Sequence, residues 1–190
     1  MKEKSAFDIL QDTLKELGFE PKTHVTGRDF IVPGSFSHTK FVLAEIGDAW
    51  FLASDSYGKS VSSTFTGLYA PIQLVPEAEC RIFRRDWFDR FLVSGKQKTG
   101  VEMIDKSLTI QSSGWNPAYL LDSGKAGRFL DLNERIKPLK LIIQNDYLPL
   151  IPFRDKKVIG LETNRWLYYP KDVRTFIEGA KALIDSFRSV

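Results

Sequence analysis

The chain has 190 residues, 43% of them hydrophobic, 27% charged and 13% aromatic. That supply of apolar and aromatic side chains is enough for a packed core and excludes a disordered chain. A net charge of +3 is too small to argue for nucleic acid by itself. At this length one domain over residues 1–190 is the default expectation.

The first predicted element is a helix. Ser5 can cap it, with Asp8 three residues on as a short-acid capping box. Phe7, Leu10, Leu14 and Leu17 then recur on one stripe until Gly18, placed where a left-handed residue would end the helix. From Arg28 to Val75 the period becomes extended. "TKFVLAEI" and "AWFLA" flank Gly47-Asp48, a two-residue hairpin signal. In the next strand the apolar parity slips, from Val61 and Phe65 to Leu68, Ala70, Ile72 and Leu74. A one-residue slip centred on Gly67 predicts a β-bulge or a sheet corner.

"RRDWFDRFL" fits a short helix or a strand end, "GKQKTG" a basic loop and "KSLTIQ" a strand. Asn116-Pro117 reads as the N-cap and first residue of a helical stretch, in which Gly124 and Gly127 predict a break into two short pieces. "LKLIIQ", "YLPLIPF" and "KVIGLE" read as three consecutive strands. Pro170 then opens a long helix with a wide stripe of Val173, Phe176, Ile177, Ala180, Leu183, Ile184 and Phe187. "RWLYYP" reads as the seat of that helix, and Gly179 inside it as a point of close packing. The expected fold is α+β: a largely antiparallel sheet flanked by an N-terminal helix, a broken middle helix and a long C-terminal helix.

No apolar run approaches the ~18 residues of a membrane span. The N-terminus alternates charges of both signs and lacks a secretory apolar region. A cytoplasmic location is the expectation by elimination, although a processed leader would leave no trace. Cys80 is the single cysteine, so neither an intrachain disulfide nor a cysteine-based zinc cluster is open to the chain. Glu79 and Arg81 flank it, and a packed structural thiol is the favoured reading over a reactive one. His24 and His38, fourteen positions apart in loop-like surroundings, lack metal-ligand spacing. No acid/base pair or nucleophile–base team stands out, so a non-catalytic protein without cofactor or metal is expected.

Two stretches are candidates for binding. "ASDSYGKS" (53–60) has the loosest form of a phosphate-binding loop, in which Lys59 of the Asp55–Ser60 turn would hold phosphate. Such a loop requires a helix to begin at the Lys-Ser pair. "VSSTFTG" follows instead and reads as a strand, which leaves Lys59 on a hairpin turn. The second stretch, Arg81–Lys98, carries Arg81, Arg84, Arg85, Arg90, Lys96 and Lys98 against Asp86 and Asp89, and the rest of the chain is close to neutral. With Phe83, Trp87 and Phe88 interleaved, it could hold an anionic lipid or nucleic acid, and Arg84, Arg85 and Arg90 are its candidate anion ligands. Alternation along "CRIFRR" separates Arg81 and Arg85 from Arg84, which favours structural roles over one continuous patch. The leading expectation is a binding or interaction module, its partner unidentified and a protein partner among the possibilities.

The pieces "STFTGLY", "VEMIDKSLTIQSS", "AYLLDSGKAGRFLDL", "LKLIIQ" and "YLPLIP", spread over about residues 60–152, resemble an uncharacterised bacterial family known only as a domain of unknown function. In that family a Phe-x-Gly strand precedes a "D-K-x-x-x-V/I-x-S" strand and a helix with a Tyr-x-Leu start. Its members often carry membrane segments ahead of this region. The resemblance implies no activity and no site residue.

Overall fold

The computed structural model describes residues 4–31, 37–57, 62–73, 79–86, 96–113, 119–145, 147, 153 and 155–188. They form an α+β fold in which eight strands make one antiparallel sheet. The strands are β1 (Lys22–Ile31), β2 (Ser37–Ile46), β3 (Ala49–Tyr57), β4 (Ser62–Pro71), β5 (Glu79–Arg84), β6 (Leu108–Ser113), β7 (Lys140–Asn145) and β8 (Lys157–Thr163), in the spatial order β1-β2-β3-β4-β8-β7-β5-β6. Helices α1 (Ala6–Glu16), α2 (Glu102–Ser107), α3 (Ser123–Arg135) and α4 (Pro170–Arg188) complete the described elements. None of these helices is long and apolar enough to cross a membrane.

Local chemistry explains the boundaries. The Ser5 hydroxyl accepts from the Asp8 amide at 3.2 Å while Asp8 accepts from the Ser5 amide at 3.0 Å, the reciprocal capping box. Gly18 ends α1 with φ +85°, a conformation that costs a glycine nothing. Gly47-Asp48 is the hairpin turn between β2 and β3, closed by the Ile46–Ala49 pair, with positive φ at Gly47. The helix break falls before Ser123, where Asp122 caps α3 through the Lys125 amide, and not at Gly124 or Gly127, which both lie inside α3. An early position in a capped helix makes their low propensity tolerable. Asn116-Pro117 lies outside the described residues, as does most of "YLPLIPF". β7 and β8 pair directly with each other, so no middle strand separates them.

All seven predicted stripe residues of α4 are buried. They pack with α1 and α3 on one face of the sheet, over Phe51, Leu68, Ile82, Leu141 and Leu161. A Cβ at Gly179 would lie 2.6 Å from a Leu132 methyl, so the glycine permits α3 and α4 to close on each other. Leu167 of the "RWLYYP" segment joins the same core as the α4 stripe, and Trp166 packs on Phe7 of α1, with ring centroids 4.7 Å apart.

The opposite face of the sheet carries a second, smaller core of Phe41, Leu43, Leu52, Phe65, Tyr69, Ile142, Tyr147, Phe153 and Val158. This second core accounts for the parity slip in β4. The strand keeps an unbroken register with both β3 and β8, and it buries Phe65 and Tyr69 on one side and Leu68 and Ala70 on the other. The expected bulge at Gly67 is therefore corrected to a regular strand buried on both faces. Gly67 is required for a different reason. The Tyr69 ring lies across it and across Gly160 of β8, where added Cβ atoms would come within 2.5 and 2.3 Å of that ring. The register shift that does occur lies between β1 and β2, from Val25 to Phe30.

Candidate functional site

Two groups of charged side chains stand on this frame. The first is on the second face. Antiparallel register sets Gly67, Glu162, Lys140 and Phe83 in one row across β4, β8, β7 and β5, and Tyr69, Gly160, Ile142 and Arg81 in the next. Glu162, 3% exposed, accepts a hydrogen bond from the Tyr69 hydroxyl at 2.8 Å and pairs with the Lys140 ammonium at 2.7 Å. Burial, followed by the negative charge of Glu162, pushes the Tyr69 phenol well above its usual value. Burial and then Glu162 do the same to Tyr147, which is hydrogen-bonded to that carboxylate. Arg81, on this face, donates to Gln144 at 3.3 Å. Glu162 is a charge buried with a countercharge and two hydroxyl donors, and its bonding capacity is taken up inside the core.

The second group lies where β5 ends. Cys80 and Ile82 face the helices and are buried; burial pushes the Cys80 thiol up to about 12, leaving it protonated and a poor nucleophile. Arg84 points to the same side, forming an ion pair with Glu134 in the last turn of α3. Its partner is not Asp86, its neighbour in sequence. β5 stops at Arg84, so Arg85 no longer follows strand alternation. Its amide donates to the Ser107 carbonyl at 2.9 Å, and its Nη1 donates to the Asp105 carbonyl at 2.5 Å. The Arg85 Nε–H is buried and meets no hydrogen-bond partner among the described residues.

The frame holding Arg85 is itself fixed. The Asp105 carboxylate accepts from the Thr99 amide at 2.8 Å, the Thr99 hydroxyl at 2.9 Å and the Gly100 amide at 3.1 Å. Burial raises its pKa, but these bonds outweigh burial and hold the carboxyl below its ordinary value. On the other side, the buried Asn133 accepts from the Leu139 amide at 2.8 Å and pins the turn from α3 into β7. Between these supports is a cavity of about 450 Å³. Its lining includes Arg84, Arg85, Asp86, Asn133, Lys137 and Pro138, while the Phe83 side chain belongs to the opposite face, in the row of Lys140 and Glu162.

Two other concavities combine charges of both signs. A groove of about 350 Å³ between α3 and α4 sets Arg128 and Arg135 against Asp131 and Glu178. One of about 260 Å³ at the β5–β6 end combines Glu79 with Arg81.

Of the residues expected to bind anions, Arg84 and Arg85 line one cavity, while Lys59 and Arg90 lie outside the described residues. β3 ends at Tyr57 and β4 begins at Ser62, the two residues pairing with each other, so from Ser62 onward the chain after Lys59 is strand and not the helix that a phosphate loop requires. Arg81 is separated from Arg84, as alternation along the strand dictates. Lys96 forms an isolated bridge with Gln111, and Lys98 is exposed. His24 and His38 belong to β1 and β2 and not to loops, because the hydrogen-bond ladder runs through them; the His24 ring stacks on Phe41 at 5.1 Å. The sequence reading missed Lys137 and Asn133, which reach the site only through the turn from α3 into β7. It also missed Glu162, whose signal was available as a lone acid inside the apolar strand "KVIGLET". Compared with known protein families, curated proteins and solved structures, the chain matches none.

Proposed function

We propose that this protein is a non-catalytic binding module and that the pocket at the end of β5 receives the anionic group of its ligand. The single observation that carries this reading is the gathering of Arg84, Arg85 and Lys137, against the one carboxylate of Asp86, around one cavity. A carboxylate or phosphate suits the fork of a guanidinium and the ammonium beside it. The cavity volume falls within the range of about 300–1,000 Å³ usual for small-molecule sites. The binding reading also accords with the state of the other reactive groups. Glu162 is saturated by its own neighbours and the Cys80 thiol is held protonated.

The test is a titration with inorganic phosphate, followed through the ¹⁵N-labelled arginine side-chain resonances. The Arg85 Nε–H signal should shift saturably in the wild type, and the shift should vanish in the folded double variant Arg84→Ser/Arg85→Ser. An unmoved Arg85 signal, or equal phosphate binding by the double variant, would refute the anion site.

A further inference from the structure

Resting on that anion-site reading, we infer that Glu134 is a built-in competitor that holds Arg84 in the free protein, and that the ligand displacing it is a phosphate monoester and not a monocarboxylate. The state of the three cations makes the first point. Lys137 is exposed and has neither a hydrogen bond nor an ion pair among the described residues. Arg85 commits its Nη1 to the Asp105 carbonyl, and its Nη2 bonds to none of the described residues. Arg84 is the one of the three that a carboxylate meets there, that of Glu134. The side chains of this pair are 49% and 54% exposed, so water reaches both partners and the pair can exchange.

The place of Glu134 in the chain makes the second. It follows Asn133 in the last turn of α3, and Asn133 and Lys137 both line the cavity. Asn133 is buried and bonded to the Leu139 amide, which fixes the backbone from which the Glu134 side chain extends. The carboxylate is therefore tethered beside the Arg84 guanidinium, at an effective concentration of about millimolar.

That tether selects the ligand. A soluble monocarboxylate would replace one carboxylate on Arg84 by another, and would have to do so against the tethered group. A phosphate brings a second negative charge and three acceptor oxygens, one for each of Arg84, Arg85 and Lys137. A bare oxyanion is comparable to a few water molecules, each of which occupies about 30 Å³ in the liquid. The cavity of about 450 Å³ has room for the body of an ester beyond it.

The test is calorimetric titration of wild type, Glu134→Gln and Asp131→Asn with inorganic phosphate and with acetate, at neutral pH and fixed ionic strength. Wild type should bind phosphate at least about tenfold more tightly than acetate. Glu134→Gln should tighten phosphate binding about two- to fivefold, because an exposed ion pair no longer has to be broken. Asp131→Asn removes an equal charge from the same helix, in the groove between α3 and α4, and should leave phosphate binding unchanged. Glu134→Ala serves as a second variant, and melting temperatures establish that all of them fold. Glycerol 3-phosphate, and phosphatidic acid in phosphatidylcholine vesicles, present the same group from solution and from a lipid surface. The gain in Glu134→Gln should appear with whichever of them binds. No gain in either Glu134 variant, or an equal gain in Asp131→Asn, would overturn the competitor and leave the anion site standing. Equal affinity of the wild type for acetate and phosphate, or binding of inorganic phosphate with neither ester bound, would overturn the phosphate monoester. Binding of neither phosphate nor acetate would overturn the inference and the anion site together.

Discussion

Glu162 and Arg85 stand within one sheet's reach of each other, and both place a charge in a partly or wholly apolar setting. They are treated in opposite ways. Glu162 sits mid-strand, where register brings Lys140 beside it and two glycines allow Tyr69 to lie flat enough to reach its carboxylate. Arg85 sits one residue past a strand end, where the Asp105 carbonyl accepts from its Nη1 and its buried Nε–H meets no partner among the described residues. Desolvation penalises both charges. The protein offsets that penalty internally at Glu162 and incompletely at Arg85. A closed polar cluster fixes the fold, whereas an open one is where the proposed ligand would bind.

The largest expected effect comes from opening the closed cluster. Glu162→Ala leaves Lys140 and two tyrosine hydroxyls without their acceptor and should cost about 3–5 kcal/mol, the range for breaking a buried pair. Denaturant midpoints would measure it. A cost below about 1 kcal/mol would place the cluster in the same class as a surface pair.

Next is Gly160→Ala, whose new methyl would meet the buried Tyr69 ring at 2.3 Å. Overpacking of that kind costs about 1–3 kcal/mol. The companion Gly67→Ala should behave alike, because the same ring lies over it. Neutral substitutions would mean that Tyr69 can swing aside, and the hydroxyl contact to Glu162 would then not be fixed by packing.

Much of this fold is legible in the sequence, and the reason differs between the two regions. The capping box of α1, the Gly47-Asp48 turn and the α4 stripe depend on residues within a few positions of one another, so spacing alone reveals them. The parity slip in β4 was visible too, but a strand buried on both faces and a bulged strand leave the same trace. Only the second core around Tyr69 tells them apart. The site was half legible. Arg84 and Arg85 stand out as a basic pair, whereas Lys137 and Asn133 join them through a contact between β5 and the α3–β7 turn, some fifty residues away. Alternation predicted that Arg84 and Arg85 would diverge. Their bonds do run to different elements, Arg84 to Glu134 of α3 and Arg85 to the Asp105 carbonyl of α2, although both line one cavity at the strand end.

pH separates the two regions again, with an effect of about 1.4 kcal/mol for each unit by which one group's titration is displaced. Tyr69 and Cys80 have raised values, so the folded state retains protons that the unfolded chain releases. Their contribution is complete below the unfolded values of about 8.5 for the thiol and 10 for the phenol, and it is lost as pH rises beyond them. Stability should therefore fall above about pH 9, and less steeply in Cys80→Ala. Asp105 has a lowered value, so its contribution is present above about pH 4 and is lost as pH falls through the folded value. Acid should loosen the support of Arg85 while leaving Tyr69 and Cys80 protonated. Melting temperatures across pH, for wild type, Cys80→Ala and Asp105→Asn, would sharpen or erase this division.

The smallest expected effect on stability falls on the arginines. Arg84 forms an exposed pair with Glu134, worth about 0–1 kcal/mol. Arg85 would lose one hydrogen bond along with an unsatisfied donor. The double variant Arg84→Ser/Arg85→Ser should stay within about 1 kcal/mol of wild type. The most direct measurement of the central claim is calorimetric titration of that variant and of wild type with inorganic phosphate. Saturable binding to the wild type and none to the equally stable variant is the result predicted. Unchanged binding, or a variant that fails to fold because the two arginines hold the sheet end together, would contradict the division between a closed structural cluster and an open binding site.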